Sequence, residues 1–297
     1  MATGIVVGYD GSEHASIAVD WAAAEAASRG TLLTIVAATT VPIEGMRFGG
    51  SLLSPEAIDA WLERLQQAAQ TRAEEIRSTQ PGLDVAVKVA LGTPASVLID
   101  ASAHADMIVV GSRGMGGFRG LLVGSVGVQV AGNSSCPAVV IRKAPDPTAS
   151  TVVVGVDGSE LSLAALDFAF GMADRHDWSV RAVHAWEIPA YDVLAVPAGP
   201  PPIDPEGLQS GELIAVSESL AGLREQHPGV TVEERVVKGQ SVHAILDAST
   251  DAALIVLGTR GRGEFLGAVL GSVSQGVLHR AKAPVAVVSS RDHGASR

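Results

Sequence analysis

The chain alternates short apolar runs with longer segments whose apolar residues recur every three or four positions. Runs such as Met107–Val110 are typical of buried strands, and the spacing within Glu13–Ser28 is helical. In the first half we predict strands at Gly4–Gly8, Leu32–Ala38, Leu83–Val89, Met107–Val110 and Pro137–Ile141, and helices at Glu13–Ser28, Ser54–Gln80, Pro94–Ala103 and Leu122–Gly132. This alternation predicts the α/β class, with a doubly wound parallel sheet and right-handed crossovers.

The second half repeats the first at one constant offset. Gly8–Ser12 recurs as Gly155–Ser159, and Gly111–Gly114 recurs as Gly258–Gly261. The later strands of the second half are predicted at Ser179–Trp186, Val230–Val237, Leu254–Leu257 and Pro284–Ser289. The constant offset indicates a tandem duplication. We expect two domains, residues 1–143 and 151–297, joined by a linker at 144–150 that contains two prolines.

Composition narrows the class of protein. Of the 297 residues, 47% are hydrophobic and 18% charged, which indicates well-buried cores. The net charge of −11 disfavours nucleic-acid binding, which needs a basic face. The single cysteine, Cys136, excludes an internal disulfide and is expected to be a buried hydrophobic residue. We find no signal-peptide pattern and no apolar stretch long enough to cross a membrane, and therefore expect a cytoplasmic protein.

Each half carries a glycine-rich turn directly after a predicted strand. Nine residues separate Gly111–Gly114 from Gly124, and nine separate Gly258–Gly261 from Gly271. Glycine lets backbone N–H groups point inward without a Cβ in the way, and the following helix adds the N–H groups of its first turn. The pattern therefore predicts a phosphate cradle in each half.

A second turn in each half also follows a strand. In a doubly wound sheet the turns after neighbouring strands meet at the topological switch point, so Gly8–Ser12 and Gly111–Gly114 are expected to face one site. The sequence leaves the role of some side chains at these turns open. Asp10 and Asp157 either cap the next helix or contact a ligand, whereas Ser12 and Ser159 are expected to cap. Arg113 and Arg260 are expected at the surface or in partial contact with the ligand.

Other chemistry finds little support. The eight histidines lack metal-ligand spacing, and His184 is expected to be a core or rim residue. There is no P-loop lysine motif and no dinucleotide-binding G-x-G-x-x-G in the first turn. Ser272–Gly276 lacks the first glycine of a nucleophile elbow. We assign no catalytic residue, and the metal ligands stay open.

The complete signature, G-x-x-G, nine residues, then G and S, resembles that of ATP-binding members of the universal stress protein family. The resemblance covers both halves nearly end to end. It implies a five-stranded parallel sheet of order 3-2-1-4-5 in each domain, and ATP with Mg²⁺ as ligand. Leu121 and Ala268 depart from the basic residues that some relatives carry there, and Glu264 would weaken the hold of the second site on an anion.

Carried onto this sequence, the resemblance implies which residues contact the nucleotide. The triphosphate and ribose contacts are Gly111, Ser112, Arg113, Gly114, Gly124, Ser125 and Val126 in the first half and Gly258, Thr259, Arg260, Gly261, Gly271, Ser272 and Val273 in the second. Gly8 with Asp10, and Gly155 with Asp157, are implied near the adenosine and the metal-phosphate edge. Ala38 and Ala185 are implied to contact the adenine through their backbone.

The resemblance also implies how the halves associate and what the protein does. Val139–Ile141 and Ala286–Val288 are expected to pair edge to edge, whereas a homodimer of whole chains and any protein partner stay open. We expect a regulatory module of stress or growth that binds ATP in each domain. The alternatives are a slow ATPase or phosphotransferase, and a scaffold that binds nothing. Segments 39–53 and 187–203 are candidates for a lid or a partner surface.

Overall fold

The computed structural model describes residues 4–40, 55–114, 123–187, 205–261 and 270–289. The first half comprises β1 (Ile5–Gly8), α1 (Glu13–Arg29), β2 (Leu33–Thr39), α2 (Pro55–Thr79), β3 (Val85–Leu91), α3 (Pro94–Ser102), β4 (Met107–Gly111), α4 (Ser125–Asn133) and β5 (Ala138–Ile141). The second comprises β6 (Thr151–Gly155), α5 (Glu160–His176), β7 (Ser179–Trp186), α6 (Pro205–Gln226), β8 (Val232–Lys238), α7 (Ser241–Asp247), β9 (Ala252–Gly258), α8 (Ser272–Arg280) and β10 (Val285–Val288).

The strands form one ten-stranded sheet of order β3-β2-β1-β4-β5-β10-β9-β6-β7-β8. Within each half all neighbouring strands are parallel. Each half therefore has the predicted order 3-2-1-4-5, which confirms the α/β doubly wound fold. The sheet is larger than five strands because the two halves share it.

The two halves join through their last strands, as predicted. β5 and β10 pair antiparallel, with Val140 opposite Val285 and Val139 opposite Ala286. The pairing covers an edge that each five-stranded sheet would otherwise expose. Because the pair is antiparallel, the strands of the two halves run in opposite directions. Their carboxyl ends therefore lie at opposite ends of the sheet.

Two pseudo-equivalent hydrogen-bond contacts cross this junction. The Nη1 group of Arg142, directly after β5, donates to the carbonyls of His279 at 3.0 Å and Ala281 at 2.8 Å. The hydroxyl of Ser289, directly after β10, donates to the carbonyl of Ser134 at 3.2 Å. Ser134 and Ala281 are the C-cap residues of α4 and α8. Each half therefore holds the end of a helix that belongs to the other half.

A buried charged cluster adds a third contact between the halves. The Glu25 side chain is only 3% exposed, and its Oε1 atom accepts from Arg29 Nε at 2.5 Å. Its Oε2 atom lies 2.8 Å from Nε2 of His176, which belongs to the second half. The His176 ring stacks on Trp178 at a centroid distance of 4.5 Å. A carboxylate removed from water is acceptable here because both of its oxygens have partners.

The inner strands of the sheet are buried on both faces, which explains their almost continuous apolar runs, whereas the outermost strands β3 and β8 are partly exposed. Val109 packs in the layer of α1, whereas Ile108 and Val110 pack in the layer of α3 and α4. Small and β-branched residues fill these layers, so few aromatic side chains are needed. Cys136 is 5% exposed and belongs to the second layer, as expected.

Several element boundaries differ from the predicted ones for local reasons. β3 begins at Val85 because the N–H of Leu83 donates to the carbonyl of Gln80, which makes residue 83 part of the turn. Likewise β8 begins at Val232, since the N–H of Val230 donates to His227.

The start of α4 also differs, because Gly124 has an extended backbone and is its N-cap. Residue 122, most of segments 39–53 and 187–203, and positions 121, 264 and 268 lie outside the described residues. Within the described ranges, no helix combines the length and apolar character needed to span a lipid bilayer.

Candidate functional site

Two loops meet at the carboxyl ends of neighbouring strands in each half. β1 pairs with β4, and β6 pairs with β9, so the turns that follow these strands are adjacent. In the first half the Ser12 hydroxyl donates to the Arg113 carbonyl at 3.3 Å and joins the two loops directly. The predicted convergence of Gly8–Ser12 with Gly111–Gly114 is therefore observed.

The serines and aspartates of the first turn have different roles. The Ser12 hydroxyl accepts from the N–H of Ala15 at 3.2 Å and caps α1, and Ser159 caps α5 in the same way. The Asp10 carboxylate instead accepts from the N–H of Ser12 at 3.0 Å, and Asp157 accepts from Ser159 at 2.9 Å. The capping interpretation is correct for the serines. The aspartates stabilise the turn that leads into each helix rather than capping the helix.

Glycine is required in the second loop by close approaches from the first. A Cβ on Gly111 would lie 2.7 Å from the carbonyl of His14, in the first turn of α1. A Cβ on Gly261 would lie 2.5 Å from the carboxylate of Asp157, and Gly114 stands in the same relation to Asp10. The first glycine of each signature therefore packs against a helix. The second packs against an acidic side chain.

The second loop of each half is also tied to the helix that follows. The N–H of Gly124 donates to the carbonyl of Ser112, and that of Gly271 donates to Thr259, both at 2.7 Å. Gly124 and Gly271 are the N-cap residues of α4 and α8, and neither helix has a side-chain cap hydrogen bond. The loop and the helix N-terminus thus form one concave backbone surface beside the aspartate.

The second half contains an open cavity of about 290 Å³. Nine predicted site residues line it: Gly155, Asp157, Ala185, Gly258, Arg260, Gly261, Gly271, Ser272 and Val273. The sequence interpretation missed Val156, Ser162, Val183, Ser241, Ile245, Leu257 and Ser274. Val183 could have been inferred, because it lies two positions before Ala185 on the same face of β7.

The first half contains a smaller open cavity of about 110 Å³. Its predicted members are Gly8, Asp10, Ala38, Gly111, Arg113, Gly114 and Val126. The missed members are Tyr9, Ala15, Val36, Pro94, Leu98 and Val110. At equivalent positions Tyr9 replaces Val156, Ala15 replaces Ser162 and Pro94 replaces Ser241. At these positions the first cavity therefore has a tyrosine in place of a valine and lacks two serine hydroxyl groups that the second cavity has.

Four predicted residues do not line either cavity: Ser112, Gly124, Ser125 and Thr259. Ser112 is 1% exposed and Thr259 is 5% exposed. The Ser112 hydroxyl has no hydrogen-bond partner among the described residues. Ser125 is exposed, whereas Ser112 and Thr259 are buried, and their carbonyls accept the hydrogen bonds from Gly124 and Gly271 that tie each loop to its helix.

The His184 side chain contacts the loop that lines the second cavity. One ring nitrogen, Nδ1, lies 2.7 Å from the carbonyl of Val156, and Nε2 lies 2.9 Å from the Glu212 carboxylate. Val156 lines the cavity between Gly155 and Asp157. The expected rim position of His184 is therefore correct, and the side chain connects α6 with the cavity loop. Ala37 occupies the equivalent position in the first half, so this contact is specific to the second.

Among the described residues, Arg113 and Arg142 bring positive charge to the first cavity and its surroundings. Arg113 lines the cavity, and Arg142 lies just beyond the end of β5. Burial, and to a smaller extent the charge of Arg113, lower the pKa of Arg142. Among the described residues, no group of three or more His, Cys, Asp or Glu side chains is arranged to hold a metal ion. A cation at either cavity would therefore need oxygen atoms of a bound anion or of water in addition to any protein ligand.

The family model described as the universal stress protein family matches residues 1–142 and again 149–289. Universal stress protein Rv2005c of Mycobacterium tuberculosis (strain H37Rv) is 34% identical over 292 residues, covering 96% of each chain. A universal stress protein of Mycolicibacterium smegmatis is 35% identical over 297 residues and covers 97% of each. The crystal structure of a universal stress protein from Archaeoglobus fulgidus, 21% identical, superposes with a TM-score of 0.73 over 97% of this chain and 99% of that one. The chain belongs to the universal stress protein family, with two tandem domains of that family.

Proposed function

We propose that this protein binds ATP with Mg²⁺ at both cavities and acts in the cytoplasm as a regulatory module of stress or growth. The observation that carries the proposal is the convergence, in both halves, of a G-x-x-G loop, an acidic turn and a glycine-capped helix around one cavity. Duplicated geometry of this kind is the pattern expected of a repeated ligand site.

The walls of the cavities suit a nucleoside. Val183, Ile245 and Leu257 give the second cavity an apolar side, and Ala185 lies at the end of β7. An adenine ring is planar and largely apolar on its faces, so it would be held by such a wall. Ser162 and Ser241 lie on the same cavity and add hydroxyl groups that can orient a ribose.

The loops suit a chain of phosphates. Gly258 and Gly261 line the cavity with backbone atoms alone, and α8 begins at the same place. N–H groups at a helix N-terminus and in a glycine loop favour anions. Arg260 adds a positive charge at the lining of the second cavity, as Arg113 does in the first.

The aspartates suit Mg²⁺ as a partner of the phosphates. Mg²⁺ is usually bound through one or two carboxylates, phosphate oxygens and several water molecules. Asp157 lines the second cavity against Gly261, and Asp10 has the same relation to Gly114. We assign Asp10 and Asp157 as the residues that would hold the metal ion, which when bound neutralises phosphate charge.

The proposal is tested by identifying the nucleotide that the purified full chain carries. The protein is denatured, and the released molecules are quantified by chromatography and mass spectrometry. We expect about two ATP per chain in the parent protein. Gly114→Ala and Gly261→Ala should each remove about one, because the added methyl group displaces the aspartate beside the loop.

Gly171→Ala is the matched control. Gly171 lies within α5, and a Cβ added there meets no atom within 4 Å. This variant should retain the nucleotide content of the parent. If the parent protein carries no nucleotide and binds no added ATP, the proposal is wrong and the loops serve only the architecture.

A slow ATPase or phosphotransferase is the second candidate, and the carboxylates beside the phosphate loops favour testing it. Phosphoryl transfer needs a group that orients the attacking oxygen. Release of ADP instead of ATP, with steady phosphate production abolished by Asp10→Asn together with Asp157→Asn, would support the enzyme. Stoichiometric retention of intact ATP would support the binding module.

A further inference from the structure

Helix α8 connects the second cavity to the first half of the chain. At its N-terminus, Ser272 and Val273 line the cavity. At its C-terminus, the carbonyls of His279 and Ala281 accept hydrogen bonds from Arg142 at 3.0 and 2.8 Å. The helix has nine residues and is therefore about 13 Å long. A movement at one end is transmitted to the other because so short a helix is rigid.

Arg142 is in turn connected to the loop of the first cavity. It follows Ile141, whose carbonyl accepts from the N–H of Ser112 at 2.7 Å. Ser112 lies within Gly111–Gly114, next to Arg113, which lines the first cavity. The electrostatic influence of Arg113 also reaches Arg142. A backbone hydrogen bond and a charge interaction thus link the first loop to Arg142.

We propose that Arg142 is a positioning residue that couples the two cavities, so that ATP binds to them with positive cooperativity. The inference rests on the proposed function, since it concerns the same ligand. Arg142 does not line either cavity, and nothing in the sequence motif marks it.

The sign of the coupling follows from charge. A phosphate at the first cavity would offset the charge of Arg113, which removes a repulsion on Arg142 and strengthens its hold on α8. A phosphate at the second cavity would lie at the positive end of the α8 dipole, while Arg142 lies at the negative end. Both events stabilise the same helix position, so each favours the other.

A weaker contact connects the second half to the helix that lines the first cavity. Ser289 donates one hydrogen bond of 3.2 Å to Ser134 at the C-terminus of α4, and Val126 in the first turn of α4 lines the first cavity. This contact is neutral, whereas Arg142 supplies a charge and two hydrogen bonds. Charged hydrogen bonds are about twice as strong as neutral ones. Removing Arg142 should therefore abolish most of the coupling.

The experiment counts ATP molecules on the full chain by native mass spectrometry at several concentrations of ATP with Mg²⁺. The populations with zero, one and two ATP, together with the affinities of Gly114→Ala and Gly261→Ala for their one remaining site, give the coupling factor. We expect a factor of about five or more in the parent protein, within the usual range of allosteric coupling. In Arg142→Gln the factor should fall to about one.

Two further variants separate coupling from general damage. Lys143→Gln removes an equal charge from the next, exposed position and should keep the parent coupling factor. Arg142→Lys keeps the charge but not the two-carbonyl geometry, and should give an intermediate factor. Thermal unfolding of each variant checks that the chain remains folded.

The possible results are distinguishable. ATP on both sites with a coupling factor of one in the parent protein overturns the coupling and leaves the proposed function intact. An undiminished factor in folded Arg142→Gln also overturns it. Absence of ATP from both sites overturns the proposed function and the coupling together.

Discussion

The carboxylate of Asp10 lies too close to position 114 for any residue there to carry a Cβ without displacing it. Asp157 and Gly261 repeat the relationship in the second half. Because Asp10 also accepts a hydrogen bond from the N–H of Ser12, its carboxylate cannot rotate away without breaking the turn that precedes α1. The second glycine of the signature therefore fixes the position of an acidic group as well as the shape of a loop.

The two glycines of the first signature should respond differently to alanine. Gly111→Ala places a methyl group against the main chain of His14, which cannot rotate away, so we expect a loss of about 3 kcal/mol in the free energy of unfolding. Gly114→Ala meets only a side chain and should cost about 1 kcal/mol. Urea unfolding of both variants measures the difference. Equal losses would contradict the packing described for these loops.

The size difference between the cavities should depend on Tyr9. Tyr9→Val gives the first cavity the residue found at position 156 of the second, and the smaller side chain enlarges a space of about 110 Å³. We expect ATP to bind the first site about tenfold more tightly, equivalent to about 1.4 kcal/mol. Calorimetric titration in a Gly261→Ala background isolates that site.

The reverse exchange is the control. Val156→Tyr should weaken the second site when measured in a Gly114→Ala background. If both exchanges leave affinity unchanged, the side chain at this position does not limit entry of the ligand.

Acid should weaken the contact between the halves through Glu25. Burial alone would raise the pKa of Glu25, but the hydrogen bond from His176 and the charge of Arg29 together lower the pKa below its ordinary value of 4.5. A carboxyl group with a lowered pKa in the folded state stabilises that state above its unfolded pKa, and this contribution is lost as pH falls through the folded pKa. We therefore expect stability to decrease below about pH 4.5.

Unfolding measured between pH 3 and pH 7 tests this in the parent protein and in two variants. Glu25→Gln should flatten the pH dependence, because the titrating group is gone. Glu25→Ala leaves the Arg29 and His176 side chains without their buried partner and should cost about 3 kcal/mol at neutral pH. An unchanged acid slope in Glu25→Gln would show that other carboxyl groups cause it.

The His184 side chain should matter only to the second cavity. His184→Ala removes the hydrogen bond to the Val156 carbonyl and frees the loop that carries Asp157. A hydrogen bond contributes about 1 kcal/mol net, so we expect about a fivefold loss of ATP affinity at the second site. His243→Ala, an exposed histidine that contacts Gln240, serves as the control. In the Gly261→Ala background, ATP binding reports the first site alone. A similar loss of affinity there would mean that His184 acts on the whole fold.

Local sequence patterns were enough to predict most of the fold and the residues at the centre of each candidate site. Alternating apolar runs predicted each strand that the structure describes, and the spacing of Gly111–Gly114 from Gly124 predicted which backbone segments would converge. These features depend on neighbours in sequence, which is why they are readable there. Val36 and Val183 were readable in principle, since each lies on the same strand face as a predicted site residue.

Other features depend on contacts between residues far apart in the chain. Glu25 meets His176, and Arg142 meets His279, only because β5 and β10 pair in one particular register. No local spacing distinguishes these side chains from exposed charges. The predicted start of β3 was wrong for a different reason. Leu83 is apolar, as a strand residue would be, but its N–H group donates a hydrogen bond within the preceding turn.

The antiparallel join between β5 and β10 makes the protein two-sided. Since the carboxyl ends of the two sets of strands lie at opposite ends of the sheet, the two cavities open in opposite directions. A partner of ordinary size that docks over one opening leaves the other facing solvent. Two partners could therefore be held at once, one on each side, and the occupancy of each cavity would be presented to a different neighbour.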